Sequence, residues 1–379
     1  MSGVRDLRSR KRPRVDDLDD QPEPVSVPDL SFSADSDVRI KPENVQNAAT
    51  QLLNTPRSAE FWYNDGSLIL RAEDMLYRIH RSLLAAQSSI FDELQQMLDV
   101  EIEGCPVIQV SDVADNWGQF LAAIYDPRYF SKLKKDDTSA LSNIVAILAI
   151  AKEYRAKSIW DEAIAHMEKI MPTTLDEYSK RACLASDDVI RNISSLDGLG
   201  LLTFLPYALY VGATYHEAEI YDFDASVLSW NWKALILRGR ATILRTQKET
   251  TFRWRLGKDV VPDDSHDSNC SRRRLTALRE QAQIPLRLDF DTVVSFHLCS
   301  SLIRDADVCE SYKKMLKKVH MKGLQEMWAS LPKCFGLGTW AGLHQKQAEL
   351  MKIFEPSEEV NNESGGIDNT AAQDFDLSA

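Results

Sequence analysis

Between residues 61 and 171 the spacing of apolar side chains changes from a strand-like to a helical pattern. Residues 67–72 and 75–80 are short, mainly apolar runs on either side of the polar pair at 73–74. This arrangement predicts two strands joined by a tight turn. A third apolar run at Cys105–Val110 predicts another strand. The first half of this region therefore favours a small sheet.

Apolar residues three and four positions apart predict helices on both sides of the third strand. They form four stripes: Leu83, Leu84, Ile90, Phe91, Leu94, Met97 and Leu98; Trp117, Phe120, Leu121 and Ile124; Ile144, Ile147, Leu148, Ala151 and Tyr154; and Ile159, Trp160, Ala163, Ile164, Met167 and Ile170. The last stripe is the most regular, and Pro172 should end its helix. Replacing Ile164 with aspartate should therefore lower the free energy of unfolding by more than about 3 kcal/mol, because the substitution would bury an unpaired charge.

These patterns divide the chain into four parts. We predict an α+β domain at 58–171, because strands are followed by helices within one unit of ordinary domain size. Residues 172–354 should be mostly helical. Residues 1–57 are rich in Asp, Pro, Ser and Arg, and 355–379 have seven acidic residues and no Lys or Arg. Both ends are predicted to be disordered, because they hold too few apolar residues to offset the entropy of ordering.

Composition limits the class of protein. The chain has 379 residues, 44% of them apolar, and its formal charge of −12 is concentrated in the acidic tail. The six cysteines form no CxxC pair, and no apolar run is long enough to span a bilayer. We therefore expect an intracellular protein that is not inserted in a membrane.

A short basic cluster lies near the start of the chain. Its members are Arg10, Lys11, Arg12 and Arg14, with Pro13 between the last two. Nuclear-import receptors bind clusters of this kind, but a solvated charge run would have the same composition. Both interpretations stay open, so the predicted location is the nucleus, the cytoplasm or both.

A set of residues in 65–125 carries a resemblance to a known family. Its members are Asp65 and Gly66 before the first predicted strand, His80 at the end of the second, Leu83, Leu84, Ser88 and Phe91 in the helical stretch that follows, and Phe120, Leu121 and Tyr125 on a later helix. In order and spacing this set resembles the BTB/POZ domain, a short mixed sheet flanked by helices. The resemblance implies a non-enzymatic module for protein association, as a homodimer or a BTB heterodimer, without a cofactor.

The amino-acid sequences at residues 103–107, 124–130 and 327–332 are also similar to those of the BTB proteins of mushroom-type fungi. That similarity implies that the helical C-terminal part is the companion region of the domain. One departure concerns cullin ubiquitin ligases, whose adaptors often carry an apolar-x-Glu triplet before the third strand. Here the triplet ends in Asp99, one methylene shorter, which weakens the cullin-adaptor alternative.

Nucleic-acid binding is the other alternative. Residues 233–287 hold thirteen basic and six acidic side chains, with Phe252 and Trp254 among them and Trp230 and Trp232 just before them. Such a segment could contact phosphates and stack on bases, and would suit a nuclear regulator. The simpler interpretation is a helix with Leu235, Leu237, Ile243 and Leu244 inward, Arg238, Arg240 and Arg245 in water, and tryptophan anchoring the core. We favour the simpler interpretation.

Two further groups could suggest chemistry. His80 has no nucleophile motif beside it, so we expect a structural histidine rather than a catalytic one. His297, Cys299, Cys309 and His320 include zinc-type ligands, but their spacing fits no common knuckle, and core packing is favoured over a metal site. Ser88 is expected to cap a helix and Asp65 to accept bonds in a turn.

Overall fold

The fold is described from a computed structural model, for residues 54–93, 101–133, 139–180, 186–256, 292–296, 303–304 and 309–354. These residues all belong to one compact unit, Gln51–Ala379. Several predicted features lie outside the described ranges: the basic cluster of Arg10, Lys11, Arg12 and Arg14, the triplet ending at Asp99, the pair His297 and Cys299, and the acidic tail.

A five-stranded mixed sheet forms the first part of the described chain, in the order β1-β3-β2-β5-β4. The strands are β1 Arg57–Trp62, β2 Leu68–Ala72, β3 Met75–Ile79, β4 Glu101–Ile102 and β5 Cys105–Val110. Strand β2 pairs antiparallel with β3 and parallel with β5, and β1 pairs parallel with β3. The predicted hairpin and third strand are confirmed, whereas β1 was not predicted and begins at the last residue assigned to the disordered segment.

Both hairpin turns depend on backbone in the left-handed region. Glu73 has φ 46° between β2 and β3, while Glu103 and Gly104 have φ 54° and 73° between β4 and β5. These tight turns set the register Leu68 to Ile79 and Ile102 to Cys105. Strand β2 lies in the middle of the sheet and its apolar residues are buried on both faces, which explains its continuous apolar run.

In the described part of this mixed unit, six helices accompany the sheet. They are α1 Arg81–Ala85, α2 Ile90–Glu93, α3 Ala114–Tyr125, α4 Tyr129–Lys132, α5 Ala140–Glu153 and α6 Lys157–Ile170. The stripes on α3, α5 and α6 enter the core with Trp117, Ile144 and Met167. On α6 the expectation for Ile164 was wrong in one respect: this side chain is only partly buried, because Ala163 and Met167 occupy the centre of the interface.

The remainder of the described chain is mostly helical, as predicted. Its α-helices are α7 Leu175–Lys180, α8 Ser186–Arg191, α9 Ile193–Gly198, α10 Leu205–Thr214, α11 Glu217–Asp222, α12 Trp230–Glu249, α13 Glu310–Cys334 and α14 Trp340–Leu350; short 3-10 helices occupy Arg253–Leu256 and Met351–Phe354. Helix α10 is buried almost all round and forms the centre of this region. Among the residues described, no helix has the length and apolarity needed to cross a membrane.

Polar contacts join the helical region to the mixed unit. Asp188 on α8 is buried and accepts hydrogen bonds from the Leu141 backbone N–H, at 2.9 Å, and from the Ser142 hydroxyl. Asn192 donates to Ser142 Oγ at 2.8 Å. Lys152 on α5 donates to the Leu199 carbonyl at 2.9 Å. The two parts therefore share a satisfied polar network as well as an apolar core.

Candidate functional site

A groove of about 570 Å³ lies between the edge strand β1 and helix α3. Four tyrosines and three carboxylates supply most of its polar character: Tyr63, Tyr77, Tyr125 and Tyr129, with Glu60, Asp115 and Asp126. No Lys or Arg is among the residues that line it in the described part of the chain. The groove is therefore aromatic and acidic.

Stacked rings build its wall next to β1. Tyr63 stacks on Tyr125 with ring centroids 4.8 Å apart and an interplanar angle of 17°. Phe61 packs behind them, 6.0 Å from Tyr125, and is buried in the core. Phe61 anchors β1 in the core, and Tyr63, which directly follows the strand, stays partly exposed. Together they give this side of the groove an aromatic wall.

His80 contacts two other residues of the predicted signature, Asp65 and Tyr125. Its Nδ1 lies 2.9 Å from the Tyr125 hydroxyl, its backbone N–H donates to the same oxygen at 3.0 Å, and its Nε2 lies 3.4 Å from Asp65 Oδ1. A hydrogen bond from its own backbone and the contact with His80 lower the pKa of Asp65. These contacts attach the end of β3 to the end of α3, which is a structural role.

Gly66, also in the signature, lies in a crowded turn. A β-carbon there would lie 2.9 Å from the Arg78 side chain and 3.0 Å from the Tyr63 carbonyl oxygen. The Gly66 carbonyl accepts hydrogen bonds from Arg78 Nε at 3.1 Å and Cys105 Sγ at 3.0 Å. Glycine is therefore required by close packing at this position.

The other signature residues lie away from the groove. Phe91, Phe120 and Leu121 are buried in the core, as is Leu84, whereas Leu83 is 39% exposed; these five residues are structural or surface positions. Ser88 Oγ accepts a hydrogen bond from the Ile90 backbone N–H at 3.2 Å, at the start of α2. The structure thus brings together Asp65, His80 and Tyr125, and distributes the others through the fold.

The ionisation of the lining groups fixes the charge of the groove. Burial, with Asp115 and Glu73 nearby, raises the pKa of Tyr77 to about 12, and its hydroxyl donates to the Ala114 carbonyl at 2.7 Å. Lys132 and the Arg128 backbone N–H lower the pKa of Asp126. Burial also raises the pKa of Tyr63 and of Tyr125, so these three tyrosines are neutral at neutral pH and the charge of the groove comes from its carboxylates.

The part of the basic segment that the structure describes is largely occupied within the fold. Lys233 is buried and donates to the backbone carbonyls of Tyr221, at 2.9 Å, and Phe223. Arg240 is buried and donates to the Ala213 carbonyl at 2.8 Å. The prediction that Arg240 faces water was therefore wrong, because the carbonyls at the end of α10 need a donor.

Arg238 and Arg245 are exposed as predicted. Leu235, Leu237 and Leu244 are only partly buried, because Ile236 and Ile243 occupy the inner face of α12. Trp254 lies in the core, but Trp230 is 59% exposed and does not anchor it. The described residues favour a helix packed in the fold over a nucleic-acid surface.

The candidate zinc ligands are only partly described. His320 is buried, its Nδ1 lies 3.1 Å from the Thr251 carbonyl, and its ring lies edge-on to Trp254. Cys309 is partly buried. In the described ranges no three His, Cys, Asp or Glu side chains are grouped as a metal site.

Sequence reasoning missed the groove because it missed β1. Phe61, Trp62 and Tyr63 form an aromatic run before Asp65, and the structure divides them: Phe61 is buried and the other two are partly exposed. The aromatic run was the available signal. Its register against β3, which aims Tyr63 at Tyr125, depends on contacts distant in sequence.

Comparison with known proteins identifies the mixed unit. The BTB/POZ domain family matches residues 64–170, somewhat under a third of the chain. No curated protein and no solved structure matches the sequence. The match covers β2 to α6, the hairpin, the His80 contacts and the α3 wall of the groove. This chain therefore contains a BTB/POZ domain, a protein–protein interaction module, followed by a helical C-terminal region.

Proposed function

We propose that the chain is a non-enzymatic association module whose BTB/POZ domain binds a basic segment of another protein in the groove between β1 and α3. The observation that supports this most strongly is the groove's lining, in which tyrosines and carboxylates occur together without a Lys or Arg among the described residues. Tyrosine rings supply contact area and cation–π partners for arginine, and carboxylates supply its counter-charge.

Charge also limits how two copies of the groove could pair in a dimer. In a twofold dimer with the two grooves face to face, Glu60 and Asp115 of one copy would approach acidic groups of the other. Like charges at close range disfavour that arrangement. A segment rich in Arg or Lys suits the groove better, and self-association would use another surface of the domain.

A direct test uses a labelled peptide of the sequence RSRKRPRV, found at residues 8–15 of this chain. Fluorescence anisotropy would measure its binding to the full chain and to the double variant Glu60→Gln/Asp115→Asn. We expect the variant to bind at least about tenfold more weakly, because two charge-assisted contacts are lost.

The matched control is Glu162→Gln/Glu168→Gln, which removes the same charge from exposed positions on α6. All three proteins keep the same termini, so binding of the peptide elsewhere is equal among them. Equal affinity of the groove variant and the control would contradict the proposal. Loss of affinity in the groove variant alone would support it.

The finer alternatives stay predictions. The cullin-adaptor function depends on the triplet ending at Asp99, and the nuclear-regulator function on Arg10, Lys11, Arg12 and Arg14 together with the basic segment 233–287. The triplet and the basic cluster lie outside the described residues. Assignment of the chain to the BTB proteins of mushroom-type fungi likewise depends on sequence similarity alone. Association with cullin on co-purification, or loss of nuclear location on deleting residues 1–15, would favour the corresponding alternative.

A further inference from the structure

Helix α13 has a strongly basic exposed side. Lys314, Lys317, Lys318 and Lys322 surround Met321, and all five are exposed; we call this group the lysine face. Their spacing of three and four residues places them on one side of the helix. The opposite side is buried through residues such as Leu316, His320 and Leu324. The face is therefore fixed in position by the core behind it.

Little charge compensates these lysines. Lys322 lies 3.9 Å from Glu326, and the described residues give no ion pair to Lys314, Lys317 or Lys318. Lys314 and Lys318, and Lys318 and Lys322, are also four residues apart, where like charges destabilise a helix. An anionic partner on the face would remove this repulsion.

Three long stretches that lie wholly or mostly outside the described residues contain several carboxylates: 1–53, 257–308 and 355–379. Residues 1–53 and 257–308 also contain many basic residues, including Arg272, Arg273 and Arg274, so their carboxylates have counter-charges close in sequence. Residues 355–379 contain Glu355, Glu358, Glu359, Glu363, Asp368, Asp374 and Asp376 and no Lys or Arg. Of these three stretches, 355–379 alone is purely anionic.

The connection also permits this contact. The tail follows Phe354, whose ring packs on Trp160 with centroids 5.0 Å apart, so its starting point is fixed to the fold. Twenty-five residues can span up to about 80 Å, whereas α13 itself, with 25 residues, is about 38 Å long. Tethering gives such a segment an effective concentration of about millimolar, which compensates for weak individual ion pairs.

We propose that the acidic tail, residues 355–379, binds the lysine face of α13 in the same chain. Its carboxylates neutralise the lysines, and its apolar residues, such as Phe375, supply a partner for Met321. The tail thereby covers a basic surface that would otherwise attract nucleic acid or another polyanion. This contact is independent of the groove in the BTB/POZ domain.

Lysine acetylation footprinting of the full chain tests the proposal. The comparison protein is a full-length variant in which the seven tail carboxylates are changed to amides, with Glu→Gln and Asp→Asn. We expect Lys314, Lys317 and Lys318 to react at least about threefold more slowly in the natural chain at low salt. About 0.5 M NaCl should remove the difference, because it screens exposed ion pairs.

Lys346, exposed on α14, is the internal control and should react equally in both proteins. Equal rates at the lysine face in both proteins would overturn the proposal. The circular-dichroism melting curve would show whether the variant is folded.

Zero-length carbodiimide cross-linking identifies the partner directly. We expect bonds from Lys317 or Lys318 to acidic residues between 355 and 379. Mixing copies labelled with ¹⁴N and ¹⁵N distinguishes chains, and cross-links within one chain should dominate. Dominant cross-links to 257–308 or between labels would contradict the contact. Equal protection of the lysine face by duplex DNA in both proteins would also contradict the contact. A tail bound to the lysine face should compete with DNA and reduce its protection in the natural chain.

Discussion

The Tyr125 hydroxyl accepts a hydrogen bond from the His80 backbone N–H at 3.0 Å and lies 2.9 Å from the His80 ring nitrogen Nδ1. One oxygen thus joins the end of β3 to the end of α3, directly beneath the wall of the groove. The stacking of Tyr63 on Tyr125 extends the same contact to the edge strand.

Replacing Tyr125 with phenylalanine should lower the free energy of unfolding by about 1–2 kcal/mol, since the His80 N–H and ring would lose their partner in a half-buried site. Urea denaturation measures this. Tyr221→Phe is the control, because that tyrosine is 54% exposed, and its effect should stay below about 0.5 kcal/mol. Equal effects of the two substitutions would show that the His80 contact contributes nothing.

The stripe on α6 offers a paired test of burial. Met167 is fully buried, whereas Ile164 is only partly buried. Met167→Asp should therefore lower the free energy of unfolding by more than about 3 kcal/mol, and Ile164→Asp should lower it by about 1–2 kcal/mol. The original expectation for Ile164 is therefore revised downward. Thermal and urea unfolding measure the stability of both variants. A larger loss of stability for Ile164→Asp than for Met167→Asp would show that the orientation of α6 described here is wrong.

Gly239 on α12 permits close contact with Phe335, since a β-carbon there would lie 2.2 Å from the ring. Gly239→Ala should cost about 1–3 kcal/mol because the ring has to move. At Gly198, also helical, a β-carbon would meet nothing within 4 Å, so Gly198→Ala should be neutral or stabilising by about 0.5 kcal/mol. Similar melting temperatures for the two variants would disprove this packing.

The carboxyl of Glu153 gives stability a pH dependence. Burial and the neighbouring Asp112 raise its pKa from 4.5 to about 7, so the folded chain holds a proton there more tightly than the unfolded chain does. The contribution of Glu153 is therefore most favourable below about pH 4.5 and declines as the pH rises through about 7.

Urea denaturation between about pH 5 and pH 8 should show a smaller loss of stability for Glu153→Gln than for the natural chain. The Glu153 side chain is exposed to solvent over part of its surface and the residue as a whole is exposed, so solvent screening should keep the effect small. Glu168→Gln, at an exposed position on α6, is the control and should leave the pH profile unchanged. An unaltered profile for Glu153→Gln would show that the fold does not raise the pKa of Glu153.

Self-association is expected of the BTB/POZ domain. Size-exclusion chromatography with light scattering at about 10 μM should give about twice the 42.9 kDa of one chain. The double variant Glu60→Gln/Asp115→Asn should remain dimeric, because face-to-face grooves are disfavoured by charge. A monomer at this concentration would contradict self-association, and a monomer only in the variant would place the interface at the groove.

Much of the mixed unit could be predicted because its signals are local. The 73–74 turn, the Cys105–Val110 run and the stripe on α6 each depend on residues within one element, and the structure has each element where it was predicted. The position of Ile164 shows the limit of that reasoning. A stripe identifies the inner side of a helix, but the neighbouring helix decides which residue lies at its centre.

The sequence by itself determined the hairpin, the helical stripes and the His80-to-Tyr125 spacing, since hydrophobic periodicity and turn residues act over a few positions. Only the tertiary structure decided that β1 joins the sheet beside β3, that Tyr63 meets Tyr125, and that Lys233 and Arg240 lie inside the helical region. Each of these depends on groups that are distant in sequence: a strand edge, a ring or an unpaired carbonyl. Burial of a charged side chain is stable only where such partners converge, and one sequence does not show which segments meet.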